Sequence, residues 1–244
     1  MTYILPHYIS NQNQPSPVLK YFWDENPISH FRYDPSELIE KAEKISTRAK
    51  IALCIGIYEW IIWRYRRLTD DTNPFQIAEA VWCSNINDLY MIYFELDPKE
   101  YLGPIRDPLY MSMMWVGTVH SFTVENENEW KGGLEFFAQL AMHVLPDTKP
   151  FETWLETTTD RLLHLYPAPE DDPFEDIFND HEEERRGPLI AREAIDPSFD
   201  YHPEQAPQLL DQFLRGVDYK NNPFLRSPEE LMELGIEHPY RLLP

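Results

Sequence analysis

Basic residues are scarce in this sequence: 21 lysines and arginines stand against 42 aspartates and glutamates, for a formal net charge of −21. That balance excludes a nucleic-acid binder, because neutralising phosphates takes a basic face. Glycine is scarce as well. Its eight copies build no phosphate-cradling loop and no G-x-S-x-G nucleophile elbow. There are two cysteines, Cys54 and Cys83, each inside an apolar stretch. Free buried cysteine behaves as a small hydrophobe, so a reducing compartment is expected in place of a disulfide. The opening MTYILPHYISNQNQP has neither a basic n-region nor a long apolar core. No secretory signal is expected, and the cytoplasm is the expected location.

A membrane-length apolar run is also missing. The most apolar stretch, from Arg48 to Leu68, is interrupted by Glu59 and closed by Arg64, Arg66 and Arg67, whereas a span needs about 20 apolar residues. Nearly every residue from Ile51 to Trp63 is apolar, a composition that a helix tolerates only when protein surrounds it on most sides. A core helix follows. On the helical wheel Arg48, Glu59 and Arg66 fall within about 20° of one another and form a narrow polar seam. Gly56 costs about 1 kcal/mol relative to Ala in a helix, which points to a close approach by a neighbouring element or to simple tolerance.

What is present is a repeated helix-start signal. Asp34-Pro35-Ser36-Glu37, Asn73-Pro74-Phe75-Gln76, Asp97-Pro98-Lys99-Glu100, Asp172-Pro173-Phe174-Glu175 and Ser227-Pro228-Glu229-Glu230 share one logic. The cap side chain accepts a free N–H, proline occupies the first turn at no loss, and the returning acid or amide reaches the cap. Asp107-Pro108 is a weaker version without the returning acid. From Pro35 the apolar positions Leu38, Ala42, Ile45, Ala49 and Ala52 step by fours and threes into the buried stretch, so one long helix is expected to Leu68. A second, opening at Pro74 with Ile77, Val81, Trp82, Leu89, Ile92 and Tyr93 inward, should pair with it as a hairpin.

Pro98 to Leu102 reads as a single turn, stopped by Gly103-Pro104. Residues 108–124 are apolar enough for a helix or a buried strand, and the Met-rich start favours the helix. Further helices are expected from Trp130, with Leu134, Phe137, Leu140, Ala141 and Val144 inward, and from Pro150, with Phe151, Trp154, Leu155, Thr158, Leu162 and Leu165 inward. The hydrophobic fraction of 43% is sufficient for a real core, and the fold class expected is all-α: an irregular bundle around a long central helix.

Composition changes at Pro167, from which onward half of the prolines lie; residues 170–244 hold 19 acids and 7 bases. Short helices are expected over Pro173–His181, Ala206–Leu214 and Pro228–Leu234. Anchors such as Phe199, Tyr201, Tyr219, Phe224 and Tyr240 imply that this extended segment wraps onto the bundle. Three regions of one domain result: an arm over residues 1–33, pinned by Tyr21, Phe22 and Trp23, a helical core over 34–167, and the acidic Pro-rich segment over 168–244.

Within that segment Phe174 and Phe178 are ringed by Asp171, Asp172, Glu175, Asp176, Asp180, Glu182, Glu183 and Glu184. Aromatic anchors inside an acidic rim suit docking on a basic protein, since charge raises the encounter rate and desolvated aromatics hold the contact. A solvated acidic loop is the plainer reading of the same composition. No metal or cofactor is expected: His181-Glu182-Glu183-Glu184 lacks the second histidine of a zinc pair, no calcium-loop spacing occurs, and His120, His143 and His164 read as boundary residues. Gly132-Gly133 is a weak anion-site candidate at a helix start, and Glu59, flanked by Arg48 and Arg66, is the best lone candidate for a raised pKa.

The expectation is therefore a non-enzymatic acidic protein that occludes the active face of a basic partner, most simply a bacterial immunity protein against a toxin effector such as a nuclease. A helical enzyme with an unfamiliar site, or an adaptor with a broad apolar patch, are the alternatives.

Overall fold

A computed structural model of the chain describes residues 3–9, 18–119, 127–169 and 186–242. Among them are eight α-helices and no strand beyond isolated bridges, an all-α architecture. The helices are α1 (Ser36–Ala42), α2 (Thr47–Tyr65), α3 (Asn73–Ile86), α4 (Arg106–Val116), α5 (Glu127–Val144), α6 (Lys149–Leu165), α7 (Ala206–Gly216) and α8 (Pro228–Glu233). No described helix is long and apolar enough to cross a membrane.

The bundle forms around α2 because α2 has no polar face to give to water. Only Lys50 and Trp63 in it escape full burial, and α3, α4, α5 and α6 all pack against it. Gly56 marks the closest approach. A Cβ there would sit 2.7 Å from Ile195 Cδ1 and 2.8 Å from Trp154 Cη2, so the glycine admits α6 and the turn at Ile195.

The single helix expected from Pro35 to Leu68 is two helices. Ile45 pairs with Pro167 in an antiparallel bridge, with Ser46 N–H donating to the Tyr166 carbonyl at 2.9 Å and Ala168 N–H to that of Lys44 at 2.9 Å. Ser46 is consequently extended, at φ −62° and ψ 157°, and its hydroxyl accepts from Ala49 N–H. Arg48 N–H donates to the Arg186 carbonyl at 3.0 Å. Two of the four orphan donors of a buried helix start are thus satisfied. Gly187 permits the contact: its φ is +85°, and a Cβ on it would lie 2.5 Å from that of Ser46.

The described start signals act in part as expected, although α1 has Pro35 at its cap position and no side-chain cap bond. Asp34 accepts from Ser36 N–H, Asp97 from Lys99 N–H, and Ser227 and Glu230 form a reciprocal capping box. At Asn73-Pro74 the helix does begin, but Asp71 supplies the acceptor, at 2.9 Å from Asn73 N. The Asp172-Pro173 signal lies outside the described residues. Helix α4 starts at Arg106, ahead of Asp107-Pro108, and ends at Val116 instead of reaching residue 124; residues 120–124 are not described.

Helix α3 stops at Ile86, short of the inward positions expected at Leu89, Ile92 and Tyr93. Asn87 turns extended and its side chain caps the next 3-10 turn, accepting from Leu89 N–H. Tyr93 is left 74% exposed. The hairpin itself forms, and Tyr58 donates from α2 to the Pro74 carbonyl at 2.8 Å.

Helices α5 and α6 bury the expected residues, except that Leu165 is half-buried. Residues 186–242 then lie against the bundle. Met91 and Leu225 form a bridge, Arg226 donates to the carbonyls of Leu89 and Met91, and Tyr201, Phe224 and Tyr240 are buried anchors. Phe199, expected as an anchor, is 38% exposed. At the other end Tyr21 bonds Tyr65 and Trp23 donates to Asp107, whereas Phe22 points outward.

Candidate functional site

Every residue of the expected docking segment, Asp171, Asp172, Phe174, Glu175, Asp176, Phe178, Asp180 and Glu182 to Glu184, falls in residues 170–185, outside the described residues. The described flanks are both fastened to the α1–α2 junction, Ala168 by the Lys44 carbonyl and Arg186 by Arg48 N–H.

Elsewhere the disposition of charge is clear, and it follows from where the arginines go. Arg64 is buried and donates to the Val144 carbonyl at the end of α5; Arg48, also buried, donates to the Asn85 carbonyl at the end of α3 and to Gly187. A helix's last carbonyls have no partner of their own and carry partial negative charge, so a guanidinium is well matched to them. Arg161 holds the carbonyls of Asp196 and Phe199, and Arg226 those of Leu89 and Met91. Five-donor guanidinium groups suit such work better than lysine does. Positive charge is thereby drawn into the joints of the fold.

The acids mostly stay outside. Along α6, Glu152, Glu156 and Asp160 are exposed at four-residue spacing and share one face. Exposed Glu37 of α1 joins them around Lys41, which lies 2.8 Å from Asp160 and 3.7 Å from Glu37. Burial, and then the charges of Glu152, Glu37 and Asp34, push the Tyr33 phenol up. This ridge has the helical period and was not singled out from the sequence.

Among the described residues two acids are buried, Asp211 and, more deeply, Glu59. It is 1% exposed, and its neighbours are not Arg48 and Arg66. Eleven and seven residues away along the chain, these share an angle with it on the wheel but stand roughly 16 and 10 Å off along the axis at about 1.5 Å per residue. Arg66 lies instead over the Phe75 ring. The partners of Glu59 come from three other segments: Arg192 Nη2 at 2.6 Å and Trp82 Nε1 at 3.1 Å on Oε1, and the Tyr8 hydroxyl on Oε2. Burial raises its pKa, opposed by the charge of Arg192 and by the hydrogen bonds from Trp82 and Arg192. With both oxygens engaged, the almost fully buried carboxylate fastens the arm, α3 and the C-terminal segment to α2.

A cleft of about 360 Å³ opens on the outer side of this centre, sharing Trp82 and Arg192 with it and lined also by Glu79, Glu193, Leu210 and Phe213. A second hollow, of about 410 Å³, lies at the start of α2 beside Arg48, Tyr90 and Arg241. Among the described residues no three of His, Cys, Asp and Glu gather as a metal site would require. Cys54 and Cys83 are free and buried, and burial pushes both thiols up, away from the thiolate that reactive cysteine needs. His143 bonds the Phe22 carbonyl among the rings of Tyr21, Trp23 and Phe31; His120 is outside the described residues and His164 is exposed. Gly132-Gly133 sits in the second turn of α5, which starts at Glu127, so it offers no helix N-terminus.

No protein-family model, curated protein or solved structure matches the chain. Any functional reading therefore rests on the charge, the clefts and the chemistry of the residues themselves.

Proposed function

We propose that this chain is an acidic binding protein that neutralises a basic protein partner by covering its active face. The observation that supports this reading is the direction of its charges. Arginines are spent on buried helix ends and loop carbonyls while Glu37, Glu152, Glu156 and Asp160 face outward, so the surface is more acidic than a mixed distribution of the same residues would make it. A field of one sign steers a cationic protein towards contact and repels acidic ones.

The more specific form of the proposal is an immunity protein of a bacterial cytoplasm, paired with a toxin effector. Glu59 is tied within the fold to Arg192, Trp82 and Tyr8. Co-expression with the product of each adjoining gene tests the pairing. A cationic product whose toxicity is lifted by this chain supports it, whereas neighbours that are all metabolic enzymes without affinity for the chain contradict it.

The contact surface is tested separately. Replacing Asp171, Asp172, Glu175 and Asp176 by their amides should weaken partner binding at least tenfold, on the order of 1.4 kcal/mol, in a titration at constant salt. Unchanged affinity would remove the segment around Phe174 and Phe178 from the interface.

A further inference from the structure

The cleft beside Glu59 has a chemistry of its own, and what it implies rests on the reading that the partner is a basic protein. Two carboxylates, Glu79 and Glu193, line it together with the rings of Trp82 and Phe213 and the side chain of Leu210. Arg192 lines it as well, but its charge is matched by Glu59 at 2.6 Å. The two remaining acids therefore set the sign of the cleft.

Glu79 is held in place and not merely nearby. Asn222 Nδ2 donates to its Oε2 at 3.0 Å, and the Asp218 backbone donates as well. Asn222 is itself 3% exposed, giving a second hydrogen bond to the Gln76 carbonyl and accepting from Phe224 N–H. A carboxylate fixed in advance loses little freedom when a ligand arrives. Of its aromatic neighbours Phe213 is partly buried and Trp82 is 3% exposed; such apolar ring surface attracts a cation and shelters an aliphatic stem.

A ligand matching these features is cationic, flat at its charged end and apolar behind it. Arginine fits better than lysine, because a planar guanidinium can serve two carboxylates and lie on a ring at once, whereas an ammonium is compact and strongly hydrated. We propose that this cleft receives an arginine side chain presented by the basic partner, with the guanidinium between Glu79 and Glu193 and the stem against Trp82 and Phe213. The volume, near the lower end of small-ligand sites of about 300–1,000 Å³, admits one such side chain with part of the loop that carries it.

The test uses the full chain and N-acetyl-arginine methylamide as probe, followed through the indole N–H resonance of Trp82. A saturable shift is expected, with none from the citrulline counterpart, which has the same shape without the charge. The double variant Glu79→Gln, Glu193→Gln should bind the probe at least tenfold more weakly. The single variant Glu193→Gln, at a half-exposed position, should weaken it by several-fold. Burial holds the Glu79 carboxyl above the usual range, so probe affinity should rise as pH climbs through the carboxylate range and the group ionises.

An absent shift, an equal response to citrulline, or a double variant that folds and binds like the parent would overturn the assignment. The two levels separate cleanly. A basic partner that binds the double variant as tightly as the parent overturns the arginine site and leaves the partner reading standing. Probe binding that requires both carboxylates supports the site even if no cationic partner is found.

Discussion

Among the described residues Arg192 is the cation paired with the buried carboxylate of Glu59, at 2.6 Å, and its removal would leave that carboxylate with the neutral donors Trp82 and Tyr8. Breaking a buried pair in this way costs about 3–5 kcal/mol. Because Arg192 is itself 39% exposed, Arg192→Met is expected to lower stability by less than that, on the order of 1–2 kcal/mol at neutral pH. The pH dependence has a definite sign. Glu59 already titrates above its unfolded value because it is buried, so between those two values the folded chain holds a proton that the unfolded chain has released, and stability falls as pH rises. Loss of Arg192 raises the folded value further and widens that window. Urea unfolding at pH 5 and pH 7 should show a smaller penalty at the lower pH; equal penalties would mean that the pair is not the origin of the loss. At Gly56, an added methyl meets Trp154 and Ile195 inside 3 Å, and Gly56→Ala should cost about 1–3 kcal/mol by overpacking, read as a lower denaturant midpoint with unchanged slope. Both residues stand out in the sequence as oddities of an apolar run. Their partners do not, because a helical wheel gives angle without height and Arg192 belongs to an irregular segment far along the chain.

Proline announces helices here more clearly than it positions them. Ser227 caps with its returning Glu230 and Asp97 caps alone, whereas Asp34 bonds Ser36 N–H from one residue ahead of the α1 cap; the hydrophobic periods of α5 and α6 pick out their buried faces. Caps without a proline were illegible. Ser46 looks like one more polar residue in a continuous helical pattern, and only the pairing of Ile45 with Pro167 makes it a boundary; Asn87 likewise ends α3 against its apolar period. Non-local backbone pairing is what one-dimensional periodicity cannot register. Ser46→Ala should accordingly destabilise by about 1 kcal/mol, the usual value of a cap, seen in thermal or chemical unfolding. No change would mean that the Ser46 hydroxyl contributes nothing beyond the backbone contacts of the junction.

For the molecule as a whole, the all-α class follows from the sequence because a helix as uniformly apolar as α2 demands a shell of other elements. The charge excess is legible in composition alone, but its geometry is not: that arginines sit in the joints and acids on the ridge of α1 and α6 emerges only when carbonyls and guanidinium groups are placed. A net charge of −21 repels itself most in dilute buffer, so the melting temperature should rise between about 10 mM and 150 mM salt as the screening length contracts. A melting temperature that falls over this range would show internal ion pairs to outweigh surface repulsion.

The same screening acts on encounter with a cationic partner. The most direct measurement is the association rate constant with a basic partner, taken in stopped flow from about 20 mM to 500 mM salt. A working acidic surface requires the rate to drop at least tenfold across that range while dissociation changes little. An association rate indifferent to salt would contradict it.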